Sequence, residues 1–174
     1  GDGYLAWLGA FGGDEGGIVV CGTGSIGITY KGQTIRVGGY GFPVSDVGSG
    51  AHIGLNAIRY SLRTLDGRAR KTAFAQEVLE RFSSDPAVVI RWSETASPTD
   101  YAAFAAVVIK HAAAGEPAAS NLLRIESLQR RPLGYCGGSS SVVGPASLSA
   151  PLPDSPSALV GASSSSLRQC ATGC

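Results

Sequence analysis

The first forty residues carry short apolar runs separated by turn residues. A mainly apolar stretch, Tyr4–Phe11, has the length and composition of a short helix. Three runs rich in β-branched residues follow it: Gly16–Gly22, Ser25–Tyr30 and Thr34–Val37. The last two are joined by Lys31-Gly32-Gln33, which is a connection of hairpin length. The pattern predicts one helix followed by a three-stranded antiparallel meander.

From residue 47 onward the apolar positions recur every three or four residues, which is helical spacing. We predict four helices: Val47–Leu62, Lys71–Phe82, a stretch opened by Ser97-Pro98 and ended by Gly115, and a stretch opened by Glu116-Pro117. Leu133–Cys136 has the composition of a short buried strand. Strands, then helices, then a strand indicate an α/β or α+β domain with one sheet.

Composition narrows the class of protein. Apolar residues make up 44% of the 174 residues, and the net charge is only +1. Because no basic cluster is present, nucleic acid is not the expected partner. No apolar run approaches the roughly 20 residues that cross a bilayer. We therefore expect a cytoplasmic protein that binds neither nucleic acid nor membrane.

The four cysteines, Cys21, Cys136, Cys170 and Cys174, include no C-x-x-C pair, so we predict no metal site. The character of the chain changes after Gly138. Residues 139–174 hold 11 serines and no aromatic residue, and their only charges are Asp154 and Arg168. Such a segment has little with which to build a core, so we predict a domain at 1–138 and a disordered Ser-rich tail at 139–174.

Two glycine-rich turns could approach a ligand closely. Gly22-Thr23-Gly24-Ser25 separates two predicted strands, and small residues with exposed N–H groups can hold phosphate oxygens. Gly137-Gly138 follows the last predicted strand and would let an adenine or a ribose lie directly on the backbone. For Gly22–Ser25 the pattern alone favours a turn that binds no ligand, and Gly137-Gly138 is equally compatible with such a turn.

A third glycine-rich segment, residues 37–50, contains one carboxylate and one aromatic side chain. Asp46 could accept hydrogen bonds from sugar hydroxyls, and Tyr40 could pack on a sugar face. The pattern alone slightly favours a simpler role, in which Asp46 caps the following helix and Ser49 is the alternative cap.

Asp2 lies directly before the first predicted helix. A carboxylate at a helix start is a common N-cap, and it could also accept a hydroxyl proton in phosphoryl transfer. His52 and His111 lie within predicted helices, without a nearby nucleophile pattern, so we interpret both as structural.

Taken in order, four segments resemble the N-acetylglucosamine and glucosamine kinases of the BadF/BadG/BcrA/BcrD ATPase family. They are DGYLA at residues 2–6, GGIVVCGTGS at 16–25, GGYG at 38–41 and SDVGS at 45–49. The resemblance continues less strongly through the helices to residue 138. It implies the C-terminal half of an actin-like ATPase fold, a ribonuclease H-like α/β lobe in which helices flank a mixed sheet with an antiparallel meander.

The resemblance implies which residues act as the catalytic base and which contact the sugar. Asp2 matches the catalytic base, which takes the proton from the sugar hydroxyl that attacks the γ-phosphate of ATP. Gly39, Tyr40 and Asp46 match the sugar-contacting loop, with Tyr40 in place of a more usual Trp. Ser25 matches a residue turned toward the sugar.

The resemblance also implies the nucleotide contacts. Gly22, Thr23 and Gly24 match the second phosphate-binding loop, and Gly137 and Gly138 match the adenosine motif. The family's first phosphate loop and an aspartate associated with Mg²⁺ belong to an N-terminal lobe that this chain lacks. We therefore expect ATP and Mg²⁺ as cofactors, the N-terminal lobe as a partner, and little kinase activity from this chain alone. Because the family often forms homodimers, a second copy is another candidate partner.

The tail departs from the family pattern. Members continue from the Gly-Gly turn into a packed helix and end in a Gly-Ala-Leu-Leu-Leu-Ala-like run, where this chain has Val160–Ser166. In a GC-rich gene, a repeated CTC leucine codon read one base late becomes a repeated TCC serine codon. We hypothesise a one-base frameshift near Tyr135 to Ser140, which resequencing of the gene would test.

Three functions are compatible with these residues. The first is ATP-dependent phosphorylation of an amino sugar, glucosamine or N-acetylglucosamine. The second is an ATPase activator of a dehydratase, whose relatives hold an iron–sulfur cluster through cysteines, although neither Cys21 nor Cys136 lies in an obvious cluster motif. The third is a sugar-binding module that does not turn over ATP.

Overall fold

The computed structural model describes residues 2–130 and 140–143, which fall into two compact units. The first unit holds residues 2–20, 26–37 and 140–143, and the second holds residues 21–25 and 38–130. The strand predicted at Leu133–Cys136 and the turn at Gly137-Gly138 lie outside the described residues.

The first unit is a helix and a sheet. Helix α1 spans Asp2–Phe11, and strands β1, β2 and β3 span Gly16–Cys21, Ser25–Tyr30 and Thr34–Gly38. These strands are neighbours in the sheet and are joined by three-residue connections, which are too short for a parallel crossover. The predicted antiparallel meander is therefore confirmed.

A fourth strand makes the sheet mixed. Strand β4, Ser140–Val143, runs parallel to β1 with Val142 opposite Val19, and the sheet order is β3-β2-β1-β4. Composition alone predicts a disordered tail for these four residues. The backbone of β1 supplies their hydrogen bonds regardless of side chain, and Val142 and Val143 are β-branched residues that favour strands. The serine content of the segment reveals neither the pairing with β1 nor the strand preference of the two valines.

The core of the first unit is small and aromatic. Trp7 on α1 is 2% exposed and packs with Ile18 and Ile28 of the sheet. The Trp7 ring lies 5.1 Å from the ring of Tyr30. Helix α1 approaches the sheet so closely that a Cβ on Gly3 would lie 2.7 Å from Ile28 Cδ1. The alternation of the meander thus places one face of the sheet under α1.

The second unit is helical. Its helices are α2, α3, α4, α5 and α6, which span Gly50–Leu65, Ala73–Glu80, Pro86–Ser93, Pro98–Ala113 and Pro117–Arg130. Four of them confirm the predicted helices, with ends shifted by a few residues. Within residues 2–130, no helix is both long enough and apolar enough to cross a membrane.

Helix α4 is the helix that the sequence pattern missed. It is eight residues long, and Val89 is its buried residue, so it shows no clear helical period. Its Val88-Val89-Ile90 run is β-branched and by itself favours a strand. The local capping chemistry decides otherwise, because Asp85 accepts a hydrogen bond from the Ala87 amide at 2.8 Å and Pro86 occupies the first helical turn.

Helices α2 and α5 form the centre of the second unit, and they cross at a glycine. Gly54 of α2 lies against α5, where a Cβ would be 1.8 Å from the Tyr101 carbonyl oxygen. Ala51, Ala57 and Val108 are fully buried beside this crossing. Small residues therefore let the two backbones approach, and the larger apolar side chains pack around them.

We predict that Gly54→Ala destabilises the protein by about 3 kcal/mol, because the new methyl group would force apart two packed backbones. Gly9→Ala is the matched control, since Gly9 also lies in a helix but has open space where its Cβ would be. Gly9→Ala should stabilise α1 by about 0.5–1 kcal/mol. Urea unfolding followed by circular dichroism measures both, and equal effects of the two variants would contradict the assigned role of Gly54.

Candidate functional site

The turn at Gly22–Ser25 is attached to the N-terminus of α2. The Gly50 amide donates to the Gly22 carbonyl at 2.8 Å, and the Ala51 amide donates to the Thr23 carbonyl at 3.1 Å. A third bond, from the Gly22 amide to the Gly24 carbonyl at 2.8 Å, closes the turn itself. Two of the amides that a helix start leaves unpaired are thus used to hold the turn in place.

This attachment determines where the donors of the turn point. In a trans peptide the C=O and the N–H of one unit point in opposite directions. Because the carbonyls of Gly22 and Thr23 face α2, the N–H groups of Thr23 and Gly24 face away from it. Two adjacent N–H donors on one side suit phosphate oxygens. The residues present therefore fit the phosphate part of a nucleotide.

The loop between β3 and α2, residues 39–49, is anchored at several points. The Phe42 ring packs on Tyr101 of α5 at 4.9 Å between centroids. The Ser45 amide donates to the Gly41 carbonyl at 2.7 Å, and the Tyr40 amide donates to Ser45 Oγ at 3.3 Å. The Tyr40 side chain is 78% exposed. The loop therefore has a defined backbone and presents an aromatic ring at its surface.

Asp46 does not cap α2, which corrects the interpretation that the sequence slightly favoured. Ser49 caps the helix, because its backbone is extended and its Oγ accepts from the His52 amide at 3.2 Å. Asp46 instead has φ of 62°, in the left-handed region that non-glycine residues rarely adopt. Such strain often marks a functional residue.

The Asp46 carboxylate lies against the glycine turn. A Cβ on Gly24 would be 2.9 Å from Asp46 Oδ2, so a side chain at position 24 would displace the carboxylate. Ser25 joins the same two segments, since its buried Oγ donates to the Val47 carbonyl at 3.0 Å. The structure therefore brings together Gly22, Thr23, Gly24, Ser25 and Asp46, with Gly39 and Tyr40 in the same loop as Asp46.

Glu126 of α6 is a residue that sequence reasoning missed. It is 1% exposed, and its Oε2 accepts from the Gly48 amide at 3.1 Å and contacts His52 Nδ1 at 2.7 Å. Its Oε1 accepts from Asn56 Nδ2 at 2.6 Å. One pattern could have revealed it: Glu126 lies four residues after Leu122, at a position of α6 that is otherwise apolar.

Partners of Glu126 determine its ionisation. Burial raises the pKa of the carboxyl, but the hydrogen bonds from His52, Asn56 and the Gly48 amide outweigh burial, and the net pKa lies below the ordinary value of 4.5. The ionised carboxylate can only accept, so the His52 Nδ1 that contacts it carries the proton.

The other histidine has a comparable role elsewhere in the second unit. His111 lies between two carboxylates, with Nε2 at 2.7 Å from Glu77 Oε2 and Nδ1 at 3.0 Å from Glu116 Oε2. Lys110 and His111 lower the pKa of Glu77, and Glu116 also accepts from the Phe74 amide at 3.1 Å. Both histidines thus join packed helices, as their interpretation as structural residues predicted.

The remaining candidates are distributed as follows. Asp2 is the first residue of α1, in the first unit, and its side chain lies outside the described part of the chain. Gly137 and Gly138 also lie outside it. Among the described residues, no three His, Cys, Asp or Glu side chains form a group that could hold a metal ion.

The mixed sheet, the helices and the glycine turn held on a helix N-terminus agree with an actin-like ATPase fold. The chain belongs to the BadF/BadG/BcrA/BcrD ATPase family, whose family profile matches residues 1–127. The resemblance seen in the sequence is thus confirmed.

Relatives of known name agree with this assignment. The chain is 44% identical over 124 residues to the glucosamine kinase GspK of Vibrio cholerae, covering 71% of this chain and 42% of that protein. It is 40% identical over 81 residues to an N-acetylmuramic acid/N-acetylglucosamine kinase of Clostridium acetobutylicum, covering 45% of this chain and 26% of that protein. The chain therefore spans less than half of the length of either relative.

A solved structure gives the same result for the fold. The chain matches a protein of Chromobacterium violaceum, provisionally named as an N-acetylglucosamine kinase, with a TM-score of 0.71 and 33% identity. The match covers 82% of this chain and 52% of that one. The predicted actin-like α/β fold is thus confirmed.

We predict that part of the stability at neutral pH depends on the ionised Glu126 carboxylate. Its folded pKa lies below its unfolded value, so this stability is present above the unfolded pKa and is lost as the pH falls through the folded one. The difference in Tm between the wild type and Glu126→Gln should therefore shrink below about pH 5. Thermal unfolding between pH 7 and pH 3.5 measures it, and a difference that does not change with pH would contradict the prediction.

Proposed function

We propose that this chain carries part of the active site of an ATP-dependent amino-sugar kinase. One observation carries the proposal: Asp46 has a left-handed backbone, and its carboxylate lies directly against Gly24 of the glycine turn. A group suited to sugar hydroxyls thereby lies beside a group suited to phosphate. Phosphoryl transfer to a sugar requires these two ligands to be held together.

We propose roles for the second unit's residues from their positions together with the family resemblance. The Thr23 and Gly24 amides bind phosphate oxygens of ATP through the donors that face away from α2. The Asp46 carboxylate accepts hydrogen bonds from hydroxyl groups of the sugar, and Tyr40 packs on its ring. Charged acceptors make stronger hydrogen bonds than neutral ones, so Asp46 orients the sugar.

Asp2 is proposed as the general base. By resemblance it takes the proton from the hydroxyl that attacks the γ-phosphate, which a carboxylate within hydrogen-bond reach can do. Gly137 and Gly138 are proposed to contact the adenosine. Mg²⁺, when bound with ATP, neutralises charge on the phosphates. The proposed Mg²⁺ aspartate belongs to an N-terminal lobe, so we propose that this chain is active only together with such a lobe.

The proposed substrate is glucosamine or N-acetylglucosamine. The support comes from the names of the relatives, a glucosamine kinase in Vibrio cholerae and an N-acetyl-D-glucosamine kinase in Dictyostelium discoideum. The second of these is 30% identical to this chain over 116 residues, covering 63% of this chain and 36% of that protein.

A coupled assay of ADP release tests the proposal, with the 174-residue chain and the longest product of its gene compared side by side. We predict sugar-dependent ADP release by the longer product and little by the chain alone. Asp2→Asn in the longer product should lower kcat roughly 10²- to 10⁴-fold, because an amide cannot accept the proton.

Asp14→Asn is the matched control, since Asp14 is an exposed aspartate between α1 and β1. It should leave kcat unchanged. If Asp2→Asn retains full activity, Asp2 is not the base. If a folded longer product releases no ADP with any amino sugar, the kinase proposal is wrong and a non-catalytic sugar-binding role would replace it.

A further inference from the structure

Glu126 connects the last described helix with the segment that carries Asp46. The residue lies on α6, 78 positions after Gly48 in the chain, yet its Oε2 accepts from the Gly48 amide at 3.1 Å. The same oxygen lies 2.7 Å from His52 Nδ1, in the first turn of α2. Its other oxygen accepts from Asn56, one turn further along. All three contacts of the carboxylate are thus with the loop end and the start of α2.

A buried carboxylate is not needed to pack α6. Leu122 on the same face of α6 already belongs to the apolar core, with Leu123 packed against it. Taking a charge out of water costs free energy, and a well-packed apolar side chain at such a position is often as stabilising. The carboxylate therefore adds something that an apolar residue could not, namely an acceptor for a backbone amide in the loop.

The Gly48 amide belongs to a segment with an unfavourable backbone conformation. Gly48 has φ of 76° and Asp46 has φ of 62°, so two residues out of three are left-handed. A left-handed non-glycine residue costs about 1–3 kcal/mol and persists only where the surroundings impose it. The Gly48 amide bond to Glu126 and the Ser49 amide bond to the Asp46 carbonyl, 3.0 Å, hold this backbone from both sides.

We propose that Glu126 is a positioning residue, which fixes the Gly48 amide and thereby holds the Asp46 carboxylate against Gly24 in its sugar-binding orientation. The inference deepens the proposed function and rests on it for the role of Asp46. The placement of the loop by Glu126 does not rest on it, so the two can be tested separately.

The test compares three variants of the full chain. Glu126→Leu removes both acceptors, whereas Glu126→Gln keeps one oxygen that can still accept from Gly48. Glu116→Leu is the matched control, because Glu116 also contacts a histidine and accepts from a backbone amide, at Phe74, but lies away from the loop. Each variant is measured by hydrogen exchange of residues 44–52 and by its affinity for N-acetylglucosamine.

We expect Glu126→Leu to speed exchange in residues 44–52 and to weaken N-acetylglucosamine binding by about tenfold, which corresponds to about 1.4 kcal/mol. Glu126→Gln should retain most of the affinity. Glu116→Leu should lower Tm while exchange in residues 44–52 and sugar affinity stay at wild-type values. A general loss of stability would move all variants together and would not produce this pattern.

Several results would overturn the inference. If folded Glu126→Leu shows wild-type exchange in residues 44–52, Glu126 does not position the loop. If exchange rises but sugar affinity is unchanged, the loop does not hold Asp46 for sugar. If the wild type binds neither glucosamine nor N-acetylglucosamine, the proposed function loses its support, and the exchange data still decide whether Glu126 positions the loop.

Should Glu126→Leu fail to fold, Glu126→Gln decides the question by NMR. A neutral amide oxygen accepts a weaker hydrogen bond than a carboxylate, so the Gly48 amide proton should move upfield while amide shifts around His111 stay constant. An unchanged Gly48 shift would overturn the inference.

Discussion

The candidate site depends on the hydrogen bonds between the N-terminus of α2 and the turn at Gly22–Ser25. The Gly50 and Ala51 amides hold the carbonyls of Gly22 and Thr23, and this determines which side of the turn presents its N–H groups. The bond from Ser25 Oγ to the Val47 carbonyl attaches the loop to the same place. Without these contacts the N–H groups of Thr23 and Gly24 and the Asp46 carboxylate would lie on independent segments, and neither would have a defined position relative to the other.

The helical core of the second unit holds the N-terminus of α2 and the Asp46 loop in place. Helix α2 lies close against α5 because Gly54 has no side chain, and the Phe42 ring anchors the loop on Tyr101 of α5. On the other side, α6 contributes one buried carboxylate, Glu126, to the loop end. A rigid packed scaffold that holds a strained loop is typical of a binding site, since strain persists only where packing imposes it.

Much of the fold could be predicted from local patterns, and the exceptions have physical reasons. The meander and four helices follow from periodicity and turn residues, whereas α4 depends on capping at Asp85 that its β-branched run obscures. The glycine turn and the Asp46 loop were visible as motifs. The choice between Asp46 and Ser49 as the cap depends on backbone torsions. The place of Glu126 on the apolar side of α6 is visible in the sequence, but its contact with Gly48 spans 78 residues and no local pattern contains it.

A titration followed by ¹H–¹⁵N NMR tests the central claim most directly, namely that the glycine turn and the Asp46 loop form one site. The assigned chain is titrated with N-acetylglucosamine and, separately, with ADP. We expect the sugar to shift the amide resonances of Gly39, Tyr40 and Asp46, and ADP to shift those of Thr23 and Gly24. If either ligand shifts amide resonances elsewhere in the chain but none in the glycine turn or the Asp46 loop, the two segments do not form the binding site.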